Sequence, residues 1–461
     1  MQYGDVWGKM MQNVGLKCDI LVVGGGISGC MAAISAARCG MDVLLVERYG
    51  FLGGTLTVNG TGPMMTFHAG DRQVVKGITG EVIDRLCRKG KSVGHIFDTT
   101  CYTYTVTPFD AEGMKEELEE MLLEAGGRIL YHSFVCGVDR SDTQITEVMV
   151  AGKDGFKHIQ AKVYIDASGD ADISRFAGLN THLGRKEDGK CQPLTLNMKL
   201  YNVDIPKVRA YIKVHPEDFN RMDTGLVDNA PRLSVGGFDQ TFAQAVRIGE
   251  ITFDREFLLF FETSNEGEVI VNTTRVSGIN PLKAEELTIA EIQGRKQCQE
   301  VFCFLRQRIP GFEQAKIAYT GPFIGVRGSV QIEGQYTINE MDIVTCKEFE
   351  DTIAHGAYPI DIHPPEGADA AMFDVVKLKP GDYYSIPYRA LIGEMDNLIT
   401  VGRCISATFE AQAAIRVSPI AGAIGHAGGV AAAVAVQEGS GVHSVEIGAV
   451  KKILVEQGAF L

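Results

Sequence analysis

The pattern of apolar and polar positions near the start of the chain predicts a βαβ unit. Residues 16–23 form an apolar run typical of a buried parallel strand, and residues 27–39 are almost wholly small residues at helical length. Residues 41–46 form a second apolar run, which ends at Glu47. A strand, a helix and a second strand in this order are the repeating unit of parallel sheets. We therefore expect an α/β fold with a doubly wound parallel sheet.

Further patterns predict that this sheet continues later in the chain. Residues 110–125 place apolar side chains at helical spacing behind an Asp N-cap, and residues 128–138 predict a third parallel strand. Residues 146–166 predict short strands joined by an Asp-Gly turn. Residues 397–403 predict a strand that returns to the sheet, and an Ala- and Gly-rich helix follows over 420–436.

The middle of the chain has a different pattern, which predicts a second domain of the α+β class. Residues 251–263 and 267–276 suit an antiparallel sheet, and residues 283–311 suit a long amphipathic helix closed by Pro-Gly. We divide the chain into a first domain formed by residues 16–180 and 381–440, and a substrate domain formed by residues 181–380.

The turn between the first strand and the first helix carries the motif G-x-G-x-x-G. Gly24 makes the tight turn, Gly26 lets a diphosphate approach the main chain, and Gly29 lets helix and strand touch. The helix N-terminus adds amide donors from Ile27 and Ser28. Because strand, helix and a later acid surround the motif, it predicts a bound dinucleotide.

Glu47 lies where the second strand ends, about 20 residues after the motif, and its carboxylate can accept both hydrogen bonds of a ribose diol. An acid at this position disfavours the 2′-phosphate of NADP. A second G-x-G-x-x-G unit is absent from the sequence, so a tightly bound pyridine nucleotide beside the first nucleotide is not expected.

The segment VERYGFLGGTLT, residues 46–57, resembles FAD-dependent oxidoreductases of the glutathione-reductase-like superfamily. The resemblance implies FAD, and it implies that residues 146–166 form the β-meander of that superfamily. It also implies that the N-terminus of the helix over 420–436 points at the flavin, where its dipole stabilises negative charge on the reduced ring. The further cofactor contacts that it implies are Arg48, Gly53, Gly54, Thr55, Val135, Ala167, Ser168, Gly169, Asp172, Gly402, Arg403, Arg416, Val417, Ser418 and Pro419.

The resemblance extends over residues 18–437, in the broader fumarate-reductase and thiazole-synthase neighbourhood. Relatives commonly continue the Gly-x-Arg segment with further arginines, whereas this chain keeps Arg327 and then has Ser329, Val330 and Gln331. An anion-binding role for those extra arginines is therefore not expected here. His68 follows the Gly-Gly-Thr segment at a distance similar to that of the flavinylated His of some fumarate reductases, but its surrounding motif differs.

Composition narrows the classes of partner and site. The chain has 461 residues and a net charge of −14, which argues against nucleic acid and anionic membranes as partners. The eleven cysteines form no C-x-x-C pair, so neither a disulfide framework nor a metal site is expected. No apolar run approaches the roughly 20 residues of a membrane span, and the N-terminal segment lacks a signal-peptide pattern. We expect a cytoplasmic protein, with its oligomeric state open and a homo-oligomer included.

Three functions fit these features. The first is an FAD-dependent oxidoreductase that transfers a hydride between flavin N5 and a small polar or anionic metabolite. The second is a dinucleotide-binding synthase or non-redox enzyme of the thiazole-synthase-like branch, and the third is a non-catalytic flavin-binding interaction protein. The catalytic candidates are Arg327, His363, Tyr388 and Arg389, because arginine clamps carboxylates and histidine exchanges protons near neutral pH.

Overall fold

The computed structural model describes residues 16–367 and 378–461. The N-terminal residues 1–15, part of the segment inspected for a signal peptide, lie outside the described residues, as do residues 368–377 of the predicted substrate domain.

The described strands are β1 Leu16–Val23, β2 Val43–Val46, β3 Met64–Met65, β4 His68–Ala69, β5 Arg72–Gln73, β6 Ile96–Phe97, β7 Thr105–Thr107, β8 Arg128–Leu130, β9 Phe134–Ser141, β10 Gln144–Gly152, β11 Gly155–Asp166, β12 Thr181–Leu183, β13 Met198–Tyr201, β14 Ser234–Gly237, β15 Leu258–Glu262, β16 Val269–Val271, β17 Lys316–Thr320, β18 Val330–Ile332, β19 Thr352–Gly356, β20 Tyr384–Pro387 and β21 Leu398–Thr400. The described α-helices are α1 Ile27–Arg38, α2 Thr55–Val58, α3 Ile78–Arg88, α4 Ala111–Glu124, α5 Asp172–Phe176, α6 Ile205–Val214, α7 Asp239–Arg247, α8 Ala284–Arg308, α9 Glu340–Val344, α10 Phe409–Ile415, α11 Ser418–Glu438 and α12 Ile447–Glu456.

The main sheet has seven strands, in the order β8-β2-β1-β11-β10-β9, with β21 pairing with β11. Strands β8, β2, β1, β11 and β21 run parallel, whereas β9, β10 and β11 form an antiparallel meander. This arrangement confirms the predicted doubly wound parallel sheet with its meander. It also confirms that the strand over 397–403 returns to the sheet beside β11.

The predicted third parallel strand over 128–138 is wrong in its length. Only Arg128–Leu130 pairs with β2, while Phe134–Ser141 belongs to the meander. The break occurs because His132 adopts a left-handed φ of 53° and turns the chain out of the parallel strand. Backbone hydrogen bonds from His132 N to Tyr49 O (3.2 Å) and from Ser133 N to Glu47 O (3.1 Å) hold this turn beside the end of β2.

Helices α1 and α11 pack against each other because both present small residues at their contact. A Cβ on Gly425 would lie 2.0 Å from the carbonyl oxygen of Ser28, and one on Gly429 would lie 2.1 Å from that of Ala32. Side chains are therefore excluded where the helices meet. Helix α11 is long and apolar enough to cross a membrane by length and composition, but 89% of its apolar window is buried inside the protein.

A second hydrophobic core belongs to the antiparallel sheet β14-β15-β16-β13-β17 and to helices α6, α7 and α8. Its buried residues lie between Leu194 and Ile324. Buried residues between Ile338 and Ile392 join the first core instead, together with the C-terminal residues Val450 and Leu454. The second core is therefore shorter than the predicted substrate domain of 181–380, and the first core extends past residue 440.

Candidate functional site

The carboxyl ends of the parallel strands meet at one edge of the main sheet. The register pairs Val23 with Val46 on one side and with Asp166 on the other, and Asp166 in turn pairs with Thr400. The segments that follow these residues are the glycine motif, Glu47, the turn after Asp166, and Gly402. Because ligands of open parallel sheets bind outside this edge, these loops form the candidate site.

A first cavity of about 170 Å³ lies along these loops. Most of the cofactor residues predicted from the sequence line it: Gly24, Gly26, Ile27, Ser28, Glu47, Arg48, Gly54, Thr55, Val135, Ala167, Ser168, Gly169, Asp172, Gly402, Arg403, Arg416 and Ser418. Gly29, Gly53 and Pro419 do not line this cavity, and Val417 lines a neighbouring cavity.

The glycine motif forms a cradle whose geometry fits a diphosphate. A Cβ on Gly26 would find only the Cα of Gly54, 3.9 Å away, so a side chain there would project into the cavity. By contrast, a Cβ on Gly29 would lie 1.8 Å from the carbonyl oxygen of Gly24, so this glycine brings helix and strand together. Gly26 is also the N-cap of α1, with no side-chain cap on the helix amides. The first turn of α1 therefore offers donors to an anionic group.

Glu47 has a second role that the sequence pattern did not predict. Its buried carboxylate accepts hydrogen bonds from the backbone N–H of Gly25 (2.6 Å) and of Tyr49 (2.9 Å). The carboxylate therefore ties the glycine motif to the end of β2 while it lines the cavity. Each carboxylate oxygen can accept a further hydrogen bond from a ribose hydroxyl.

The turn after β11 is held by the fully buried carboxylate of Asp166, which accepts hydrogen bonds from the backbone N–H of Ser168, Ile173 and Ser174. Burial raises the pKa of Asp166. Burial, together with Asp166 and Asp170, raises the pKa of Asp172 to about 7. Asp172 therefore lines the cavity as a carboxyl group that titrates near neutral pH.

Arg403 connects three segments at this edge. It donates hydrogen bonds to the carbonyl oxygens of Gly169 (2.8 Å) and Val326 (3.0 Å), and it forms an ion pair with Asp170 at 2.9 Å. Ser329 is fully buried and donates to the same Asp170 carboxylate at 2.5 Å. Ser329 therefore supports the ion pair instead of facing a ligand.

A second cavity of about 220 Å³ adjoins the first. The residues that line both are Thr55, Asn59, Val326, Arg403, Arg416 and Ser418. Ser418 begins helix α11, whose N-cap Val417 provides no side-chain cap. The positive end of the α11 dipole therefore lies at the junction of the two cavities.

One wall of the second cavity is a face of the antiparallel sheet. Phe257, Leu259 and Phe261 line the cavity, whereas Leu258 and Phe260 between them enter the second core. This alternation follows from the two-residue period of a strand. The same cavity is lined by five arginines, Arg221, Arg255, Arg327, Arg403 and Arg416.

Arg327 lies partly buried in this cavity. One terminal nitrogen donates to the carbonyl oxygen of Pro193 and to the hydroxyl of Thr195, each at 2.6 Å. Burial and the neighbouring Arg416 lower the pKa of Arg327 to about 9. Within residues 16–367 and 378–461, the hydrogen-bond partners of Arg327 are neutral oxygens, and the Asp361 carboxylate acts on it only at longer range, so its guanidinium can still pair with an anionic ligand.

Asp361 is the buried carboxylate of the cavity, and three groups surround its Oδ2 atom. Tyr358 donates to it at 3.0 Å, while Arg416 Nη2 and His363 Nε2 each lie 3.3 Å away. Burial alone would raise the pKa of Asp361, but His363, Arg416 and Arg327 lower it well below its usual range. Asp361 is therefore ionised and orients Arg416 at the junction.

The surroundings of His363 favour its neutral form. Burial and the nearby charge of Arg327 lower the pKa of His363 to about 3, although Asp361 opposes this shift. The role of His363 as a proton donor or acceptor stays a prediction. The backbone N–H of His363 donates to Gln192 at 3.2 Å, which fixes the segment that carries it.

Two of the four catalytic candidates lie elsewhere. Tyr388 is buried and donates to the carbonyl oxygen of Val442 at 2.8 Å. Arg389 is exposed and pairs with Asp351 at 3.0 Å. Neither residue lines either cavity, and neither does His68, which lies 3.0 Å from the hydroxyl of Thr105. In the described part of the chain, no group of three or more His, Cys, Asp or Glu residues could hold a metal ion.

Sequence reasoning missed several side chains that line the second cavity: Tyr102, Arg221, Arg255, Tyr358 and Asp361. The alternation Arg255-x-Phe257-x-Leu259 extends the apolar pattern of β15 back to an arginine before the strand, which is a signal that could have identified Arg255. Tyr358 and Asp361 lie in the segment that carries His363, and each could have been examined with it.

Comparison with known proteins identifies the class of the chain. A model of the family described as FAD dependent oxidoreductase matches residues 19–454. A digeranylgeranylglycerophospholipid reductase 2 from Methanothermobacter thermautotrophicus is 26% identical over 234 residues, which cover 46% of this chain and 57% of the relative. A digeranylgeranylglycerophospholipid reductase from Methanocella arvoryzae is 26% identical over 191 residues, which cover 38% and 45% of the two chains. The match thus spans about half the length of these curated relatives.

Two solved structures also match the chain. A geranylgeranyl bacteriochlorophyll reductase-like protein from Thermoplasma acidophilum has a TM-score of 0.48 and 14% identity, over 96% of this chain and 83% of that chain. The p-nitrophenol 4-monooxygenase from Pseudomonas putida has a TM-score of 0.45 and 12% identity, over 95% and 84% of the two chains.

Proposed function

Because this chain belongs to the FAD dependent oxidoreductase family, we propose that it is an enzyme that transfers a hydride between FAD and a small anionic metabolite. The observation that carries the choice of substrate is Arg327, a guanidinium group in the second cavity whose described partners are neutral oxygens. A buried charge without a carboxylate partner is costly, and an anionic substrate would compensate it.

The first cavity suits the cofactor, and the second cavity suits the substrate. FAD, when bound, supplies the hydride acceptor or donor at its ring. The cradle at Gly26 and the carboxylate of Glu47 would hold its diphosphate and ribose. Arg403, Arg416 and the first turn of α11 lie where the two cavities join, so they would surround the reacting edge of the ring.

In this proposal Arg327 and Arg416 bind one carboxylate of the substrate. Arg416 is held by Asp361, whose carboxylate also accepts the hydrogen bond of Tyr358. Bidentate pairing between guanidinium and carboxylate fixes orientation as well as affinity. The substrate would therefore be positioned with its reacting carbon toward the junction.

The proton that accompanies hydride transfer requires a donor or acceptor in the cavity. His363 is neutral and lies 3.3 Å from Asp361, so it would act through a hydrogen bond. Tyr102 lines the same cavity, and burial and Asp361 raise its pKa well above the usual value. Tyr102 is therefore a neutral phenol whose hydroxyl can donate a hydrogen bond to a substrate within the cavity.

The two other functions considered from the sequence differ in what they predict. Family membership makes this chain an enzyme, which sets aside the non-catalytic flavin-binding protein. A synthase of the thiazole-synthase-like branch would release an NAD-derived nucleotide on denaturation, whereas the proposed enzyme releases FAD. Mass spectrometry of the released nucleotide separates these two outcomes.

We further propose that the partner is a small-molecule substrate and that the enzyme acts in the cytoplasm. The net charge of −14 supports the expectation that neither nucleic acid nor an anionic membrane binds it.

The proposal is tested by anaerobic reduction of the bound flavin with hydroxy acids, amino acids and uncharged alcohols, and by reoxidation with unsaturated acids. Carboxylates should react and alcohols of the same length should not. Arg327→Gln should lower kcat/KM about 10- to 100-fold, as expected for loss of a hydrogen bond to a charged group. Arg306→Gln, an exposed arginine at the end of α8, is the matched control. Equal reactivity of alcohols and carboxylates would contradict the proposal.

A further inference from the structure

The second cavity contains another pair of arginines besides Arg327 and Arg416. Arg221 and Arg255 line the wall formed by the antiparallel sheet. Their guanidinium carbons lie 4.3 Å and 4.4 Å from the ring centroid of Phe257, which also lines the cavity. Two cations and an aromatic ring therefore form a defined cationic group, here called the sheet-side arginine pair.

The backbone directs this pair into the cavity. Leu259 and Phe261 of β15 line the cavity, and so do Arg255 and Phe257 in the bent segment that leads into this strand. The two terminal nitrogens of Arg221 form ion pairs with Asp239 (2.6 Å) and Glu256 (3.2 Å), which fix its position and compensate part of its charge. The positions of both side chains are therefore determined by the sheet and its flanking carboxylates.

The sheet also fixes the separation between the two arginine pairs. Strand β15 pairs with β16, and β16 pairs with β13, which begins just after Thr195. Adjacent strands lie about 4.8 Å apart, so the backbone near Arg255 and that near Thr195 are separated by about 10 Å. Thr195 accepts the hydrogen bond of Arg327 at 2.6 Å. Arg255 thus approaches the cavity from the segment before β15, and Arg327 approaches it beside the segment before β13, two strands away in the same sheet.

The charge around Arg255 is consistent with an anion at this wall. Arg255 is 6% exposed. Burial first, and then the positive charges of Arg275 and Arg221, lower the pKa of Arg255 to about 9, although Asp361 and Glu256 oppose this shift. An anionic group between the sheet-side arginines would relieve this repulsion.

Resting on the function proposed above, we infer that the substrate carries two anionic groups joined by a short body. One group binds Arg327 and Arg416 at the cofactor junction, and the second binds the sheet-side arginine pair. The body lies against Phe257 and Leu259, which form the apolar wall between them. A carboxylate or a phosphate would satisfy the second position, since both accept bidentate hydrogen bonds from arginine.

Binding to the oxidised holoenzyme tests this inference without turnover. The probes are saturated dicarboxylates of four to six carbons, monocarboxylates of equal length, and a phosphonocarboxylate of equal length. Perturbation of the flavin absorbance during titration gives each Kd. Dicarboxylates should bind about 10- to 100-fold more tightly than monocarboxylates, as expected for one additional charged hydrogen-bonding group. Tighter binding of the phosphonocarboxylate than of the dicarboxylates would assign a phosphate to the second position.

Variants locate the second group. Arg255→Gln should remove the preference for dianions and leave the Kd of monocarboxylates unchanged, and Arg255→Lys should restore part of the preference. Arg327→Gln should weaken both classes of probe. Arg306→Gln is the matched control, and the FAD content and Tm of each variant establish that it is folded.

Two results would overturn the inference, and they differ in what they imply for the proposed function. If monocarboxylates bind as tightly as dicarboxylates, or if Arg255→Gln weakens both equally, the second group is absent while the anionic substrate stands. If no carboxylate perturbs the flavin and neutral analogues do, the proposed anionic substrate fails as well.

Discussion

Replacing Gly26 by valine should separate cofactor binding from folding. The φ of Gly26 is −66°, which any residue adopts, and an added Cβ would have only Gly54 Cα near it, at 3.9 Å. The folded apo-protein should therefore lose only about 1 kcal/mol, the usual difference between glycine and a branched residue at an N-cap. The valine side chain would occupy the space of the diphosphate in the first cavity.

The expected effect on FAD is much larger than the effect on stability. Displacing the diphosphate from the amides of α1 removes at least two charge-assisted hydrogen bonds, each contributing about 1.5 to 3 kcal/mol. The Kd for FAD should therefore rise at least about 100-fold. The assay is reconstitution of the apo-protein with FAD, followed by flavin fluorescence, with Tm measured in parallel.

Two glycine variants make the comparison decisive. Gly80→Ala places a methyl group 3.6 Å from the side chain of Gln73 inside α3, an ordinary contact, so FAD binding should be unchanged. Gly29→Ala places one 1.8 Å from the carbonyl oxygen of Gly24, so both folding and FAD binding should fail. If Gly26→Val binds FAD as the wild type does, the diphosphate does not lie against this loop. If Gly26→Val unfolds as Gly29→Ala does, the loop has no space for a side chain at position 26.

Three further predictions concern buried carboxyl groups. The pKa of Asp172 is raised from 3.8 to about 7, so its ionisation destabilises the folded state progressively between pH 4 and 7. Asp172→Asn should therefore stabilise the apo-protein by up to about 4 kcal/mol at pH 8. Urea titrations should show that this gain disappears near pH 4. An equal gain at both pH values would contradict this. Asp361→Asn should keep FAD bound but lower kcat at least about tenfold, since the Asp361 carboxylate orients Arg416. Unchanged single-turnover kinetics would refute this orienting role of Asp361. Glu117, fully buried between α3 and α4, pairs with Arg85 and, at 2.7 Å, with Lys89. Glu117→Gln should lower the free energy of unfolding by about 1 to 3 kcal/mol, whereas an unchanged urea midpoint would show that exposed carboxylates replace it.

The cofactor half of the site could be predicted because local signals place it. An apolar run followed by glycines determines where β1 ends, and the parallel register then carries Glu47 to the same edge. The strand β21 joins that edge through β11, which brings Gly402 and Arg403 beside the motif. Each step depends on pairing rules that the sequence pattern already contains.

The substrate half could not be predicted in the same way. Arg221, Arg255, Arg327 and Arg416 come from separate segments, and only the packing of the two cores brings them to one cavity. The position of Tyr388 away from both cavities has a related cause. Tyr388 follows the apolar strand β20, but its hydroxyl donates a hydrogen bond to the carbonyl oxygen of Val442. Val442 lies in the residues that follow α11 in the chain.

Ser329 lies in the segment after Arg327 that departs from the pattern of relatives, and it connects the cofactor half of the site with the substrate half. Ser329 is fully buried and donates to Asp170, which already pairs with Arg403, so an arginine at this position would place a second large cation against an occupied carboxylate. This part of the chain therefore stabilises the junction between the cofactor edge and the second domain. In the proposed complex, the positive charge that faces the substrate comes from Arg327 on one side and from Arg255, just before β15, on the other. Under this proposal, substrate choice should respond to changes in the segment that leads into β15, which is remote in sequence from every predicted cofactor contact.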